Sequence, residues 1–330
     1  MQHSSSNTLM LIINPISGTN SKNGLAEMVE SCLASMGREI EVRYTTCQGD
    51  ATKFARLAVE SGYAGVLAAG GDGTVNETAI ALCGSEVPLG IIPAGSGNGL
   101  ARHIGIPVDP RLSLRVIEEG HIVDCDYGTV NGRPFFCTFG VGFDAAVSHR
   151  FARQRHRGKL SYIRSAISEY VTYHPQTYTI SANGRVITEE AFIVAVCNAS
   201  QYGNNAYIAP EASITDGLLD ITVVHAGNTV DAAVMGVDLL TGYINRNTMI
   251  RTFRAPAAVI YRTGEGPAHI DGEPVMMDDI MDVKCRRGAL RIFTPGNKSR
   301  FQPLLTPVRS MIADIGIALN NLVGRGIFKF

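Results

Sequence analysis

The most constraining stretch of this chain is residues 70–77 (GGDGTVNE), in which three glycines surround one carboxylate. The apolar run 65–69 (GVLAA) before it predicts a buried strand, and the apolar spacing over 74–82 predicts a helix. A glycine turn between a strand and a helix N-terminus presents backbone N–H groups and the positive end of the helix dipole, which together bind phosphate. Asp72 would repel a phosphate unless a cation such as Mg²⁺ stood between them.

Two further turns follow apolar runs. Residues 89–93 (LGIIP) lead into 94–102 (AGSGNGLAR), and residues 9–13 (LMLII) lead into 14–18 (NPISG). One glycine motif alone is equally an ordinary turn. In an open parallel sheet, however, ligands bind outside the carboxyl ends of the strands, so three such turns predict one shared crevice. Arg102 either pairs with a phosphate there or is an exposed helix residue.

Composition narrows the class of protein without naming it. The 330 residues exceed one comfortable hydrophobic core, so two domains are expected. The formal net charge of −1 gives no overall attraction to nucleic acid, so no nucleic-acid partner is expected. Seven cysteines without a CxxC spacing indicate neither a zinc site nor a disulfide framework. The chain shows neither a signal peptide pattern nor a run of the roughly twenty apolar residues that span a bilayer, so we expect a cytoplasmic protein.

The apolar pattern changes character near residue 128. Before that point short apolar runs alternate with helical patterns, which is typical of a parallel α/β sheet. Beyond it, runs with a period of two predict short strands separated by turns, which favours an antiparallel sandwich. These runs are 128–139, 176–180, 185–197, 218–225, 249–255, 257–261, 268–271 and 282–285, with helical spacing over 161–173 and 232–241 between them.

Six motifs occur in one order along the chain: NPISG, GGDGTVNE, PAGSGNGLAR, GFDA, APEASITDGLLD and IDGE. Together they resemble the catalytic family of the diacylglycerol kinases, which includes sphingosine kinases and soluble bacterial lipid kinases. The resemblance implies a phosphofructokinase- or NAD kinase-like α/β domain with a parallel sheet over 1–128 and a β-rich antiparallel sandwich over 129–285. It also implies that residues 286–294 return to the first domain, and that ATP and the lipid bind in the interdomain cleft.

The same resemblance implies which residues contact ATP. They come from the three turns and from Thr45, and are Asn14, Thr45, Gly70, Gly71, Asp72, Gly73, Thr74, Val75, Asn76 and Ser96. Ser96 departs from the threonine that many relatives have in this turn, but it keeps the hydroxyl. From the residues alone, Thr45 would be a solvent-facing hydroxyl of a strand.

The catalytic base is predicted in residues 270–274 (IDGEP). From the residues alone this is a plain hairpin turn, because acid–glycine pairs are common turn formers. By resemblance to the bacterial members, Glu273 is the general base that takes the proton of the lipid hydroxyl. The sphingosine kinases often give that role to the aspartate of the GGDG-like turn, which makes Asp72 the rival base.

Residues 213–220 (SITDGLLD) predict a Mg²⁺ site of their own. The resemblance implies that Asp216 and the backbone oxygens of Ser213 and Leu218 hold this ion, and Mg²⁺ accepts one carboxylate with carbonyls and waters. We expect a structural or regulatory ion here, and a second Mg²⁺ that arrives with ATP. An ordinary hairpin at Asp216 stays an open alternative.

Recognition of the lipid acceptor has weaker signals. Asp126 lies at the predicted domain junction, in the region where the family holds the acceptor headgroup, and Asp144 of GFDA is similarly placed. Both are equally carboxylates that cap turns. The basic run over 150–159 is either a solvated face or a contact for ATP phosphates or anionic headgroups.

The tail 295–330 matches no motif of the family, yet it has apolar residues at helical spacing. The favoured expectation is an amphipathic helix that packs on protein, in the core or in a homodimer. The alternative is an interfacial helix that gives peripheral contact with the inner face of the membrane.

These observations predict an ATP-dependent lipid kinase that phosphorylates a hydroxyl of a diacylglycerol-like or sphingoid-base lipid at a membrane surface. Two alternatives stay open: an NAD kinase-like kinase for soluble small molecules, and a nonenzymatic, nucleotide-responsive lipid-binding regulator. The DGLLD and DGE turns argue against the first. Retention of Asp72, Asp216 and Glu273 argues against the second.

Overall fold

The computed structural model describes residues 7–16, 24–35, 37–152, 169–170, 172–296 and 301–324. Several predicted features lie outside these residues: Ser17 and Gly18 of the first turn, most of the basic run after Arg150, most of the helix predicted over 161–173, and the end of the tail from residue 325. Arg150 itself is described, and its guanidinium pairs with the carboxylate of Glu169 at 3.0 Å.

The N-terminal part of the chain is a parallel sheet with helices on both faces. Its strands pair in the order β2-β1-β3-β4. Alternate residues of the central strands enter two separate cores, so that Met10 and Ile12 pack with α2 and α3 while Leu9 and Leu11 pack with α1 and α5. Because both faces are covered, these strands are continuous apolar runs in the sequence. The elements are β1 (Thr8–Ile13), α1 (Leu25–Ala34), β2 (Glu39–Tyr44), α2 (Asp50–Glu60), β3 (Gly65–Gly70), α3 (Asp72–Leu82), β4 (Leu89–Pro93), α4 (Gly99–Ile104) and α5 (Pro110–Glu119).

The second part of the chain is an antiparallel sandwich. One layer is the six-stranded sheet β12-β11-β10-β7-β14-β15, and the other contains β16, β13, β8 and β9. Side chains from both layers, such as Phe139 and Ile260, share one buried core. The elements are β5 (Ile122–Val130), β6 (Arg133–Phe135), β7 (Thr138–Gly142), α6 (Phe143–Ala152), β8 (Gln176–Ala182), β9 (Arg185–Ala191), β10 (Ile193–Cys197), β11 (Leu219–Val224), α7 (Thr229–Thr241), a 3₁₀ turn (Ile244–Arg246), β12 (Ile250–Ala255), β13 (Ala257–Tyr261), β14 (Gly266–Ile270), β15 (Glu273–Met277), β16 (Ile280–Phe293) and α8 (Leu305–Gly324). The α/β domain and the sandwich confirm the predicted fold class.

The single strand predicted over 128–139 is wrong. Asn131 and Gly132 have positive φ angles of 47° and 79°, as a type I′ hairpin turn requires, and Val130 pairs with Arg133 across them. The chain therefore reverses at this asparagine–glycine pair, and β7 begins only at Thr138.

The long strand β16 joins the two sheets. Its first residues pair with β13, and Ile292 pairs in parallel with Leu89 of β4. Between these ends its register against β5 shifts, around Gly288, whose φ is +57°. Leu290 and Ile292 then pack in the core of the α/β domain. In the part of the chain that the structure describes, no helix is long and apolar enough to cross a bilayer.

Candidate functional site

The predicted turns lie side by side at the carboxyl edge of the parallel sheet. The backbone N–H of Thr45 donates to the carbonyl of Ile13 at 2.9 Å, and that of Asn14 donates to Ala69 at 3.1 Å. The N–H of Ala94 donates to the carbonyl of Gly70 at 2.8 Å. Each turn is thus hydrogen-bonded to the end of the neighbouring strand. The three predicted turns and the turn that begins at Thr45, after β2, therefore form one row of four, as expected for a crevice at this edge.

The GGDG turn and the GSGNG turn pack closely against each other at their glycine residues. A Cβ atom on Gly95 would lie 2.5 Å from the Cα of Gly71, and one on Gly97 would lie 2.6 Å from a carboxylate oxygen of Asp72. Side chains are therefore excluded between the turns for steric reasons. Gly73 is exposed, and a Cβ there would have no neighbour within 4 Å among the described residues, so the first turn of α3 has open space beside it.

Asp72 links the same two turns. Its two carboxylate oxygens accept the backbone N–H groups of Asn98 at 2.8 Å and Gly99 at 2.6 Å. Burial raises the pKa of this carboxyl, and the two N–H donors and the nearby Arg102 partly oppose that rise. Asp72 is therefore a clamp between the GGDG turn and the GSGNG turn.

The other residues predicted to contact ATP have different environments. The side-chain amide of Asn14 donates to Oγ1 of the buried Thr74 at 3.2 Å, so the first and second turns are also joined. Thr45 and Asn76 are half-buried and Ser96 is exposed. Val75 is buried in the core, so a ligand could meet only its backbone.

The DGE motif forms a tight hairpin. Asp271 and Gly272 have φ angles of 50° and 82°, and Ile270 pairs with Glu273 across them, which is the geometry of a type I′ turn. Glu273 is exposed at the first position of β15. Residues 270–274 thus form the hairpin that the acid–glycine pair predicts. This hairpin also leaves the carboxylate of Glu273 exposed, so it is compatible with a role for Glu273 in chemistry.

Asp271 fixes this hairpin to the loop between β6 and β7. Its carboxylate accepts three backbone N–H groups, from Phe136 at 2.8 Å, Cys137 at 2.7 Å and Thr138 at 2.9 Å. Burial raises the pKa of Asp271 to about 6, against the effect of these donors. This role of Asp271 was not predictable from local sequence, because the three donors are more than one hundred residues away from it along the chain.

Cys137 connects the hairpin to the glycine turns of the α/β domain. Its N–H binds Asp271, and its Sγ would lie 3.4 Å from a Cβ on Gly99, the residue that donates to Asp72. The pKa of its thiol is raised by burial and further by the charges of Asp271 and Asp72. The two carboxylate turns therefore lie on either side of one buried cysteine.

Asp126 is buried beneath the predicted metal loop. Its oxygens accept the backbone N–H groups of Gly217 at 2.6 Å and Gly288 at 2.7 Å. It thereby holds the 213–220 loop against the irregular part of β16. These contacts match the turn-capping alternative for this residue more closely than contact with a headgroup.

Asp144 belongs to a buried polar group behind the DGE hairpin. Its Oδ2 accepts the hydroxyl of Tyr202 at 2.8 Å and lies 3.0 Å from Nε2 of His269. Nδ1 of His269 accepts the N–H of Gly272 at 3.3 Å, so the imidazole proton lies on Nε2 and is donated to Asp144. His269, which the sequence analysis did not single out, therefore connects Asp144 to the turn that carries Glu273.

The residues predicted to bind Mg²⁺ form a turn with one central carboxylate. Oδ1 of Asp216 accepts the N–H of Leu218 at 3.0 Å, and Oγ of Ser213 lies 3.3 Å from Oγ1 of Thr215. Among the described residues, no group of three or more His, Cys, Asp or Glu side chains is arranged to hold a metal ion. An ion here would depend on Asp216 with backbone oxygens and water.

Arg102 is committed to the tail of the chain. Its Nη2 contacts both carboxylate oxygens of Asp314 in α8 at 3.0 Å, and its Nε donates to the carbonyl of Gly97 at 3.1 Å. Neither sequence alternative, a phosphate contact or an exposed arginine, anticipated this ion pair.

The site's two halves correspond to two known protein families. Residues 8–130 match the diacylglycerol kinase catalytic domain, and residues 137–294 match the YegS C-terminal NAD kinase beta sandwich-like domain. This pair of domains defines the class: a two-domain lipid kinase of the diacylglycerol kinase type.

Individual relatives narrow that class. The chain is 32% identical over 232 residues to a probable lipid kinase YegS of Escherichia fergusonii, covering 68% of this chain and 77% of the relative. It is 29% identical over 263 residues to a probable YegS-like lipid kinase of Pseudomonas aeruginosa, covering 78% and 86%. A putative diacylglycerol kinase from Bacillus anthracis has the same fold, with a TM-score of 0.74 and 24% identity over 88% of this chain and 98% of that one. The chain belongs to the YegS-like family of lipid kinases.

Proposed function

We propose that this protein transfers the γ-phosphoryl group of ATP to a hydroxyl of a diacylglycerol-like or sphingoid-base lipid. The observation that carries this proposal is the row of four strand-end turns, with Gly71 against Gly95 and the clamp of Asp72 between them. Phosphoryl transfer depends on a rigidly held triphosphate, and turns locked to one another supply that rigidity.

The triphosphate would lie against the first turn of α3, where helix N–H groups have no intrahelical partner and where Gly73 leaves space. Asn14 and Thr74, already bonded to each other, would bind at the same edge through their amide and hydroxyl groups. Ser96 is exposed on the adjacent turn and would add a hydroxyl donor.

The loop around Asp216 fits a bound Mg²⁺ by the chemistry of its donors. Oxygen ligands with a single carboxylate suit this ion, which keeps several waters. Acids outnumber bases nearby, because the carboxylates of Glu211, Asp216 and Asp220 lie near the guanidinium of Arg254. Another base beside the loop is Arg287, whose Nε would lie 3.3 Å from a Cβ on Gly217. Asp216, with the backbone oxygens of Ser213 and Leu218, would hold an ion that stabilises the loop, and a Mg²⁺ bound with ATP would spread the charge of the phosphates.

Glu273 is the better candidate for the base. It is exposed at the mouth of the hairpin, whereas both oxygens of Asp72 accept backbone N–H groups. A base needs an oxygen within hydrogen-bond reach of the acceptor hydroxyl. Because an alcohol is much less acidic than a carboxylic acid, Glu273 would take the proton only as the new bond to phosphorus forms. Asp144 would then act indirectly, by orienting His269 behind the hairpin.

The experiment measures ATP consumption on diacylglycerol, sphingoid bases, NAD and sugar phosphates. We expect turnover on one of the lipids and none on NAD or sugar phosphates. Turnover on NAD alone would favour a soluble-substrate kinase, and nucleotide binding without turnover on any acceptor would favour a regulator. Glu273→Gln is expected to abolish turnover of the lipid and leave ATP affinity unchanged, and a variant with near-normal turnover would exclude Glu273 as the base.

A further inference from the structure

The C-terminal helix α8 packs on the protein with its polar face. Asp314 accepts the guanidinium of Arg102, and Oγ of Ser310 donates to Oδ1 of Asn205 at 2.9 Å. Thr306, one turn earlier, accepts the N–H of Gln302 at 2.9 Å. Residues 306, 310 and 314 are spaced by four, so they share one face of the helix.

The opposite face of α8 is apolar and points away from the protein. At 100° per residue, its centre lies roughly 160° from the polar face. It consists of Leu305, Val308, Met311, Ile312 and Ile315, each between 43% and 64% exposed. A helix of a water-surrounded protein normally has the reverse arrangement, with its apolar side against the core.

The neighbouring helix α7 extends this apolar surface. Met235 and Leu239 pack on the core, yet Val234, Val237 and Leu240 on its other side are 49–58% exposed. The helices are joined where the N–H of Leu304 donates to the carbonyl of Thr241 at 2.7 Å, just before α8 begins. We call the outward apolar residues of α7 and α8 together the outer face.

We propose that the outer face docks on a lipid bilayer. Over the described residues its side chains are aliphatic apart from Met311, and it has none of the aromatic anchors that are enriched at interfaces between proteins. Arg309 stands exposed at its border and has no carboxylate partner among the described residues, so its charge can meet anionic headgroups while its stem lies on the apolar surface.

The docking helix is also connected to the proposed nucleotide site. Arg102, which the polar face of α8 holds through Asp314, donates to the carbonyl of Gly97 in the GSGNG turn. A bilayer under the outer face would thus lie at a fixed position relative to that turn. This inference rests on the proposed lipid kinase function, because an enzyme for membrane lipids must work at the bilayer surface.

The experiment measures co-sedimentation of the full chain with vesicles of phosphatidylcholine and phosphatidylglycerol, without ATP. Ile312→Glu and Met311→Glu are each expected to lower the binding constant about tenfold or more, because a charge would have to enter hydrocarbon. The matched control is Ile280→Glu, at another exposed isoleucine on β16, which is expected to bind like the unmodified chain. Thermal unfolding of each variant verifies that it is folded.

Failure of the unmodified chain to bind vesicles, or equal binding by the Ile312→Glu variant, would overturn the proposal. So would a stable dimer in light scattering that Ile312→Glu converts to monomer, because the outer face would then bind a second copy. Since binding is measured without turnover, it is independent of the kinase proposal. Activity on a short-chain, water-soluble diacylglycerol is expected to be unchanged in Ile312→Glu, and its absence in the unmodified chain would count against the proposed function alone.

Discussion

Asp72→Asn tests whether the acid of the GGDG turn is a clamp or a base. Asparagine has one carbonyl oxygen for the N–H groups of Asn98 and Gly99, and its NH₂ group would face the second donor. A hydrogen bond to a charged group contributes about 1.5–3 kcal/mol, and a buried donor without a partner costs about 1–3 kcal/mol. Because burial already opposes ionisation of Asp72, the neutral amide recovers part of this loss. We expect the free energy of unfolding to fall by about 2–4 kcal/mol.

The assay compares urea unfolding and steady-state kinetics for the unmodified chain, Asp72→Asn and Glu273→Gln. Glu273 is exposed, so its substitution is expected to change the free energy of unfolding by less than about 0.5 kcal/mol. In kinetics the expectations are opposite: Asp72→Asn raises the KM for ATP because the turns separate, while Glu273→Gln lowers kcat with KM retained.

Asp72 does not act as a clamp if the Asp72→Asn variant unfolds at the same urea concentration as the unmodified chain, binds ATP normally and has no turnover. That combination would show a carboxylate needed for the chemical step and dispensable for the turn. Asp72 would then replace Glu273 as the base.

Two further substitutions probe the packing of the site. Gly95→Ala is expected to cost about 1–3 kcal/mol in unfolding free energy and to raise the KM for ATP, because its Cβ would meet the backbone of Gly71. The control is Gly236→Ala, which should be neutral or slightly stabilising because a Cβ there meets no atom within 4 Å among the described residues. Equal behaviour of the two variants would refute the contact between Gly95 and Gly71. His269→Ala is expected to cost about 1–3 kcal/mol and to lower kcat with an unchanged KM for ATP, since the N–H of Gly272 loses its acceptor and the carboxylate of Asp144 loses one of its donors. An unaffected kcat would show that the hairpin does not need His269.

The sequence predicted those parts of the fold and the candidate site that depend on local pattern. Apolar runs that end in glycine turns mark strands of the parallel sheet, and the placement of these turns at one edge follows from parallel topology. The Asn131–Gly132 turn also depends on local sequence. The single strand predicted across it was wrong because the residues on both sides of the turn keep the period of two that is typical of a β-strand. The role of Asp271 was not predictable in this way, because its donors lie 133–135 residues away.

The ion pair between Arg102 and Asp314 was likewise not predictable from local sequence. The two residues are 212 positions apart, and their helices come together only in the folded chain. Spacing could identify a helix in the tail but not which of its faces would meet the protein. Hydrophobic periodicity alone favours the apolar face, and here the ion pair of Asp314 with Arg102 selects the polar one.

The contacts of Asp72 also change how its charge should be understood. In the sequence, a carboxylate among phosphate-binding glycines required a cation to be tolerated. In the structure its two oxygens accept N–H groups of the neighbouring turn, so the fold itself compensates the charge. Asp126 and Asp271 are satisfied in the same manner, by backbone donors from loops distant in sequence. In each case a carboxylate can join two loops because charge-assisted hydrogen bonds to N–H groups are strong. At Asp72 the absence of a side chain on Gly97 also allows the close approach. Under the proposed function, a Mg²⁺ at these turns would therefore serve the triphosphate and not Asp72. Of the two candidate bases, Asp72 and Glu273, it is Glu273 that is exposed for proton transfer.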